Sequence, residues 1–317
     1  MSDGRDSQGL DEARIALASI PLFNGQAEQA TITRLGGLTN RVFRVEAGGI
    51  SSCVRIPGQG TEEYINRRNE AQAAREAAAA GVSPEVLYFD EGTGVMATRF
   101  IGDAVTMSGE LFKTRSGSPA RAATAFRKLH DSGAVFNFRF ELFAMIDDYL
   151  KVLGGKDVAF PSGYHDVLGE AEAVRRALGT RPLPLVACHC DPLCENFLDT
   201  GERMWIVDWE YSGMNDPMWD LGDLAVEGGF DEAQEAEMVH AYFGGAPSPS
   251  ERGRITIYKA MCDLLWTLWG LIQFANKNAA DDFWAYSVNR FERCKALMGS
   301  PEFGRHIDAV RRGRRPD

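Results

Sequence analysis

Between residues 189 and 210 the chain reads His-Cys-Asp-Pro-Leu-Cys-Glu-Asn (189–196) and then Trp-Ile-Val-Asp-Trp-Glu (205–210). Asp191 and Asn196 are five residues apart, and Asp208 follows Asn196 by twelve. Short apolar runs at 185–188, 196–198 and 204–207 flank this loop and a turn at 199–201. That pattern predicts a strand, a loop and a hairpin, which would bring Asp191, Asn196 and Asp208 to one rim. A carboxylate on a loop can orient a hydroxyl and accept its proton. An amide oxygen and a second carboxylate are hard donors of the kind Mg²⁺ prefers. Together they are the equipment for phosphoryl transfer from a nucleotide, where catalysis is mostly positioning and charge neutralisation. Any one of these residues alone would mean little, because Asp and Asn are common in turns. Zinc held by Cys188, His189, Cys190 and Cys194 is the rival reading. It suffers from having three of its ligands consecutive at a strand end, where alternate side chains point to opposite faces.

Three further groups of residues suit the same chemistry. Gly36-Gly37-Leu38-Thr39-Asn40 forms a turn between β-type runs at 30–35 and 41–47. A third run, 51–57, alternates Val54 and Ile56 with Cys53 and Arg55. Arg55 therefore faces away from Val54 and Ile56, and a guanidinium there can grip phosphate oxygens two at a time. Glu70, on an Ala-, Glu- and Arg-rich helical pattern over 61–80, is placed to pair with Arg55. Trp266 and Trp269, three apart on a helical pattern over 255–277, share a helix face. Indole rings attract cations by about 0.5–2 kcal/mol each, although tryptophans at this spacing also serve as ordinary core.

The elements that must position these residues change character near Gly102. Before it come the three β-type runs, the helix over 61–80, and strands over 86–90 and 95–101 joined by Glu-Gly-Thr-Gly. After it helical patterns dominate, at 119–130, 140–153, 164–178, 231–243 and 255–277, around the β-rich insert that carries the chemistry. The expectation is an α+β, two-lobed protein. Residues 1–10 read as disordered, with a short helix to about residue 20. The length of 317 residues suits about two domains at roughly 150 residues each.

Composition narrows the function classes. The formal net charge is −11, which disfavours broad nucleic-acid binding. Arg311, Arg312, Arg314 and Arg315 form the one dense basic run and read as a solvated tail. The most apolar stretch, 261–274, contains Asp263 and falls short of the about 20 residues a membrane span needs. The polar, acid-bearing N-terminus lacks the apolar core of a signal peptide. The six cysteines have no framework spacing and read as reduced thiols. A cytoplasmic location is the expectation.

The stretch His189-x-Asp191-x-x-x-x-Asn196, followed by Val207-Asp208-Trp209-Glu210, resembles the catalytic loop and metal segment of the protein-kinase-like fold in the form seen in aminoglycoside phosphotransferases and choline kinases. The run from Asp208 through Trp219-Asp220-Leu221-Gly222-Asp223 to Glu227 narrows this to the choline/ethanolamine kinase family. So do the Trp266-x-x-Trp269 helix and the Gly36-to-Asn40 turn. The likeness covers roughly 30–295. It implies a β-rich N-lobe (21–101) with a nucleotide-binding sheet, and a mainly helical C-lobe (102–317). It implies Mg²⁺ and ATP, with the γ-phosphoryl group passing to the hydroxyl of choline or ethanolamine.

By this resemblance Asp191 is the catalytic base, and Asn196 and Asp208 hold Mg²⁺. Thr39, Asn40, Arg55 and its partner Glu70 serve the phosphates. Phe100, in a hinge at 98–101, packs near adenine. Glu227, Trp266 and Trp269 line the acceptor pocket, His189 supports the loop by hydrogen bonding, and Asp220 braces it through backbone N–H groups. Two positions depart from the family: Leu193 stands where a Gln is frequent, and Asp223 where an Asn is usual. These leave open another acceptor of the same fold (an aminoglycoside, a sugar or thiamine), and a binding module without turnover as the alternative class.

Overall fold

The computed structural model of the chain describes residues 3–36, 40–58 and 65–313. Gly37, Leu38 and Thr39 of the turn, the first residues of the 61–80 pattern, and Arg314 and Arg315 lie outside the described residues. The first helix, α1 (Asp3–Ser19), begins well before the short helix expected after residue 10. Ala13, Ala16, Leu17 and Ile20 recur at helical spacing and are buried with Phe43, Val45 and Val54. An apolar stripe docked on the sheet is what orders this segment.

The N-lobe is a five-stranded antiparallel sheet of β1 (Thr31–Gly36), β2 (Arg41–Ala47), β3 (Ile50–Ile56), β4 (Val86–Phe89) and β5 (Met96–Arg99), in the order β1-β2-β3-β5-β4. Gly48 and Gly49, both at positive φ (59° and 76°), make the tight connection from β2 to β3. Arg55 lies opposite Val42 and Met96. Helix α2 (Arg67–Ala79) is capped by Asn66, whose side chain accepts from the N–H groups of Arg68 and Asn69.

The C-lobe begins with β6 (Val105–Thr106), α3 (Gly109–Thr114), α4 (Ser118–His130), α5 (Leu142–Gly154) and α6 (Tyr164–Thr180). The β-rich insert follows as β7 (Val186–Cys188), β8 (Phe197–Asp199), β9 (Met204–Ile206) and β10 (Gly213–Asn215). Strands β6, β8 and β9 form one small sheet, and β7 pairs with β10 in another. The chain then runs through α7 (Met218–Glu227), α8 (Glu232–Phe243), α9 (Pro249–Ala275), α10 (Phe283–Met298) and α11 (Phe303–Arg312). Arg311 and Arg312 thus close a helix where the sequence suggested a tail.

Helix α9 is the hub of the C-lobe, packed by α5, α7, α10 and α11. A capping box of Ser248 and Glu251 starts it six residues earlier than expected, giving 27 residues. That length and apolarity would suffice to cross a membrane, which corrects the sequence reading of a short stretch. In this fold 78% of its apolar window is buried inside the protein. Close approach of α7 depends on Gly222, where a Cβ would stand 2.8 Å from the Ile255 carbonyl oxygen.

Candidate active site

The loop after β7 is shaped by one fully buried carboxylate. Asp220, on the first turn of α7, accepts the backbone N–H of His189 at Oδ2 and that of Cys190 at Oδ1, both at 2.8 Å. It also holds His130 Nε2 at 3.0 Å, and His130 Nδ1 meets the Tyr242 hydroxyl at 2.8 Å. Cys190 is in the left-handed region at φ 68°, an unusual place for a residue with a side chain. The Trp219 indole N–H donates to the Cys190 carbonyl at 3.1 Å and completes the clamp.

His189 is fully buried. Its Nε2 lies 2.9 Å from the Val207 carbonyl oxygen, and its ring stands edge-on to Trp209. Burial lowers its pKa, which keeps the ring neutral. The cysteines and His189 do not gather as a zinc site. Among the described residues the metal-competent groups are His130 with Cys188 and Asp220, and Glu70 with Asp208 and Glu210. In the first, Asp220 is already committed to the loop, and burial pushes the Cys188 thiol up, away from the thiolate zinc needs.

The predicted rim assembles. Asn196 donates its amide nitrogen to the Asp191 carbonyl at 3.0 Å, and its own carbonyl accepts from Val207 N at 2.9 Å. Its amide oxygen is the atom left to accept a cation. Asp208 sits just past β9 at φ 67°. Its Oδ1 lies 3.2 Å from Arg55 Nη1. Arg55 is buried, forms a close ion pair with Glu70, and donates to the Gly94 carbonyl at 3.3 Å.

Two residues not singled out by the sequence join this network. Glu210 Oε1 receives Arg67 Nη1 at 2.7 Å and Asn40 Nδ2 at 3.2 Å, with Arg55 Nη1 at 3.4 Å. Arg67 Nη1 also reaches Glu70 Oε2 at 2.8 Å. The Asp-x-Glu spacing from Asp208 to Glu210 was the available signal for the first. For Arg67 the local signal was its place three residues before Glu70 on one helix, while its tie to Glu210 is distant in sequence.

One oxygen each of Glu70, Asp208 and Glu210 lies within 4.8 Å of the others. Burial, then the charge of Glu210, raises Asp208 to about 7 against the pull of Arg55. When all three carboxylates are ionised, they exceed the two guanidiniums by one negative charge, which a bound cation would offset. The uncommitted Asn196 oxygen adds a hard donor. The set therefore fits a divalent cation with oxygen preference.

On the other side of Asp191 lies a second cluster. Burial, then Glu227 and Asp208, hold the Asp191 carboxyl well above the usual carboxylate range, with Arg290 opposing. Glu227, at the end of α7, is paired with Arg290 of α10, which also contacts Asp263 at 3.2 Å. Trp266 donates its indole N–H to Asp223 at 3.4 Å and packs edge-on against Tyr211. Trp269 packs on Phe283 and Tyr286, and the Arg290 guanidinium lies 4.7 Å over the Tyr286 ring.

Glu227, Trp266 and Trp269 thus belong to one acidic, aromatic-walled region, to which Tyr211, Asp223, Tyr286 and Arg290 are additions. Phe100 sits outside both clusters. Its N–H donates to Ser51 and its ring faces the Arg44 guanidinium at 4.5 Å. Thr39 lies outside the described residues.

Comparison with known proteins gives the family. Residues 31–255 match the phosphotransferase enzyme family. A choline/ethanolamine kinase family protein from Mesorhizobium loti, solved by crystallography, is 68% identical. It superposes with a TM-score of 0.89 over 96% of this chain and 100% of that one. Choline kinase LicA from Streptococcus pneumoniae is 27% identical with a TM-score of 0.76, over 90% of this chain and 99% of its own. Mouse ethanolamine kinase 2 is 26% identical over 81% of this chain and 73% of its own. A two-lobed fold, a carboxylate–amide–carboxylate rim and these matches have one reading: the chain is a phosphotransferase acting on an alcohol group, and it belongs to the choline/ethanolamine kinase family.

Proposed function

We propose that the protein transfers the γ-phosphoryl group of ATP to the hydroxyl of a small amino alcohol, choline or ethanolamine. The observation that carries this is the position of Asp191 between two clusters of opposite use. One offers oxygen donors and buried guanidiniums for a metal-bound polyphosphate. The other offers carboxylates and ring faces for a cation. Asn196 and Asp208 would hold Mg²⁺, with Glu210 beside them, and the metal would neutralise charge on the phosphate oxygens.

Arg55, oriented by Glu70, serves the phosphates together with the turn of Thr39 and Asn40, and Phe100 would pack near the adenine. Asp191 orients the acceptor hydroxyl and takes its proton as the new O–P bond forms. The bond from the γ-phosphorus to the bridging oxygen breaks, and ADP leaves with that electron pair. Asp191, Asp223 and Glu227 face one guanidinium that is shared with Asp263, so a bound ammonium relieves their mutual repulsion. His189 and Asp220 hold the loop in place.

We take the lobes as 21–101 and 102–317, following a helical N-terminal segment within 1–20. We place the enzyme in the cytoplasm, with no nucleic-acid partner and no membrane insertion. The test is ADP release with choline and with ethanolamine. Turnover of either supports the reading, and turnover only of an unrelated alcohol overturns it. Asp191→Ala is expected to lower kcat by about 10²–10⁴-fold with ATP affinity retained. Unchanged kcat would remove Asp191 from its role.

A further inference from the structure

Asp223 lies on α7 four residues before Glu227, on the same face of the helix, and is fully buried. Its Oδ2 has only a long hydrogen bond from the Trp266 indole. Its Oδ1 finds no hydrogen-bond donor among the described residues. Buried carboxylate oxygens are almost always satisfied, so one left without a donor beside the proposed acceptor site marks where the ligand supplies it. The charges around it are Glu227, Arg290 and Asp191. Arg290 does not fill the gap: its hydrogen bonds to carboxylates go to Asp263 and Glu227, and Asp223 Oδ1 receives none.

The aromatic walls cannot distinguish one ammonium from another by its hydrogens. Ring faces attract positive charge whether it is carried by N–H or by methyl groups. A carboxylate oxygen does distinguish them. It accepts a hydrogen bond from an ammonium that has an N–H, and a trimethylammonium has none to give. A site built to hydrogen-bond its ligand rejects the analogue that leaves the buried partner unmet.

We infer that Asp223 is a specificity-determining residue that reads the N–H of the acceptor's ammonium, so that the enzyme favours ethanolamine and its partly methylated forms over quaternary choline. This rests on the amino-alcohol reading above and narrows it. The experiment measures kcat/KM for ethanolamine, N-methylethanolamine, N,N-dimethylethanolamine and choline at saturating Mg·ATP, in the wild type and in Asp223→Asn.

In the wild type, choline is expected to fall at least about tenfold below ethanolamine, with the largest step at the third methyl group, which removes the last N–H. In Asp223→Asn the ethanolamine-to-choline ratio is expected to drop several-fold. A wild type indifferent to methylation, or preferring choline, overturns the inference. So does a variant that loses all four substrates equally. If Asp223→Asn does not fold, the wild-type series alone decides. Turnover of none of the four, with ADP released on another alcohol, overturns the amino-alcohol reading and this inference with it.

Discussion

Asp220 accepts the N–H groups of His189 and Cys190 and contacts His130, all inside the fold. It braces the loop that carries Asp191 from inside the fold. Replacing it with Asn keeps the shape but weakens two charge-assisted bonds and points an amide N–H₂ at one of their donors. Asp220→Asn is expected to destabilise the protein by about 2–4 kcal/mol in urea unfolding. It is also expected to lower kcat more than it raises either KM, because Asp191 loses its placement. A change in KM alone would contradict this. At this scale the sequence was informative where contacts are local. Asp191, Asn196 and Asp208 lie together as their order and spacing predict, because a single loop and hairpin carry them. Arg290 and Arg67 were missed because their partners are 63 and 143 residues away, at Glu227 and Glu210. No periodicity encodes such a contact.

At the scale of elements, the β8–β9 hairpin links Asn196 to Asp208, and Asp199 fixes its turn. One oxygen accepts Arg121 Nε at 2.8 Å and Gly201 N at 2.9 Å, and the other accepts Arg121 Nη2 at 2.6 Å and Arg115 Nε at 2.9 Å. Although burial raises the Asp199 carboxyl, Arg121 and Arg115 hold it down at about 2. A depressed carboxylate contributes stability that is present above its unfolded value near 4 and is lost as pH falls toward 2. The wild type is therefore expected to lose about 1–2 kcal/mol through this residue between pH 4 and pH 2, a slope absent from Asp199→Asn. Denaturant midpoints for both proteins across that range check it, and parallel curves would count against it. Strands β2, β3, β7 and β9 were legible from apolar runs bounded by turn residues. Helix α7 was not, since every residue from Met218 to Ala225 is buried. A helix buried all round loses the one-sided stripe that reveals helices such as α4 and α5. Helix α1 does have such a stripe, at Ala13, Ala16, Leu17 and Ile20, but an acidic, polar start masked it.

For the whole molecule, the two lobes are tied together by side chains from both. Arg55 reaches Asp208, Asn40 reaches Glu210, and Arg67 joins Glu210 to Glu70. These carboxylates therefore hold the N-lobe sheet and α2 against the C-lobe. Arg67→Ala removes one of two guanidiniums from a set of three carboxylates. Part of the loss is compensated, because Glu70 keeps Arg55 and Glu210 keeps Asn40 and Arg55. The expected destabilisation is thus about 1–3 kcal/mol, below the figure for a fully orphaned buried charge. Its larger effect falls on nucleotide binding: KM for ATP is expected to rise about tenfold, some 1.4 kcal/mol, with kcat changed less. The bonds from Arg67 to Glu70 and to Glu210 leave one nitrogen, Nη1. A lysine ammonium can bridge the same two oxygens, so Arg67→Lys should restore most of the ATP affinity that Arg67→Ala loses. If Lys fails to rescue while Ala is stable and folded, the fork and stem of Arg67 matter more than its charge, and the tie between lobes is one of packing.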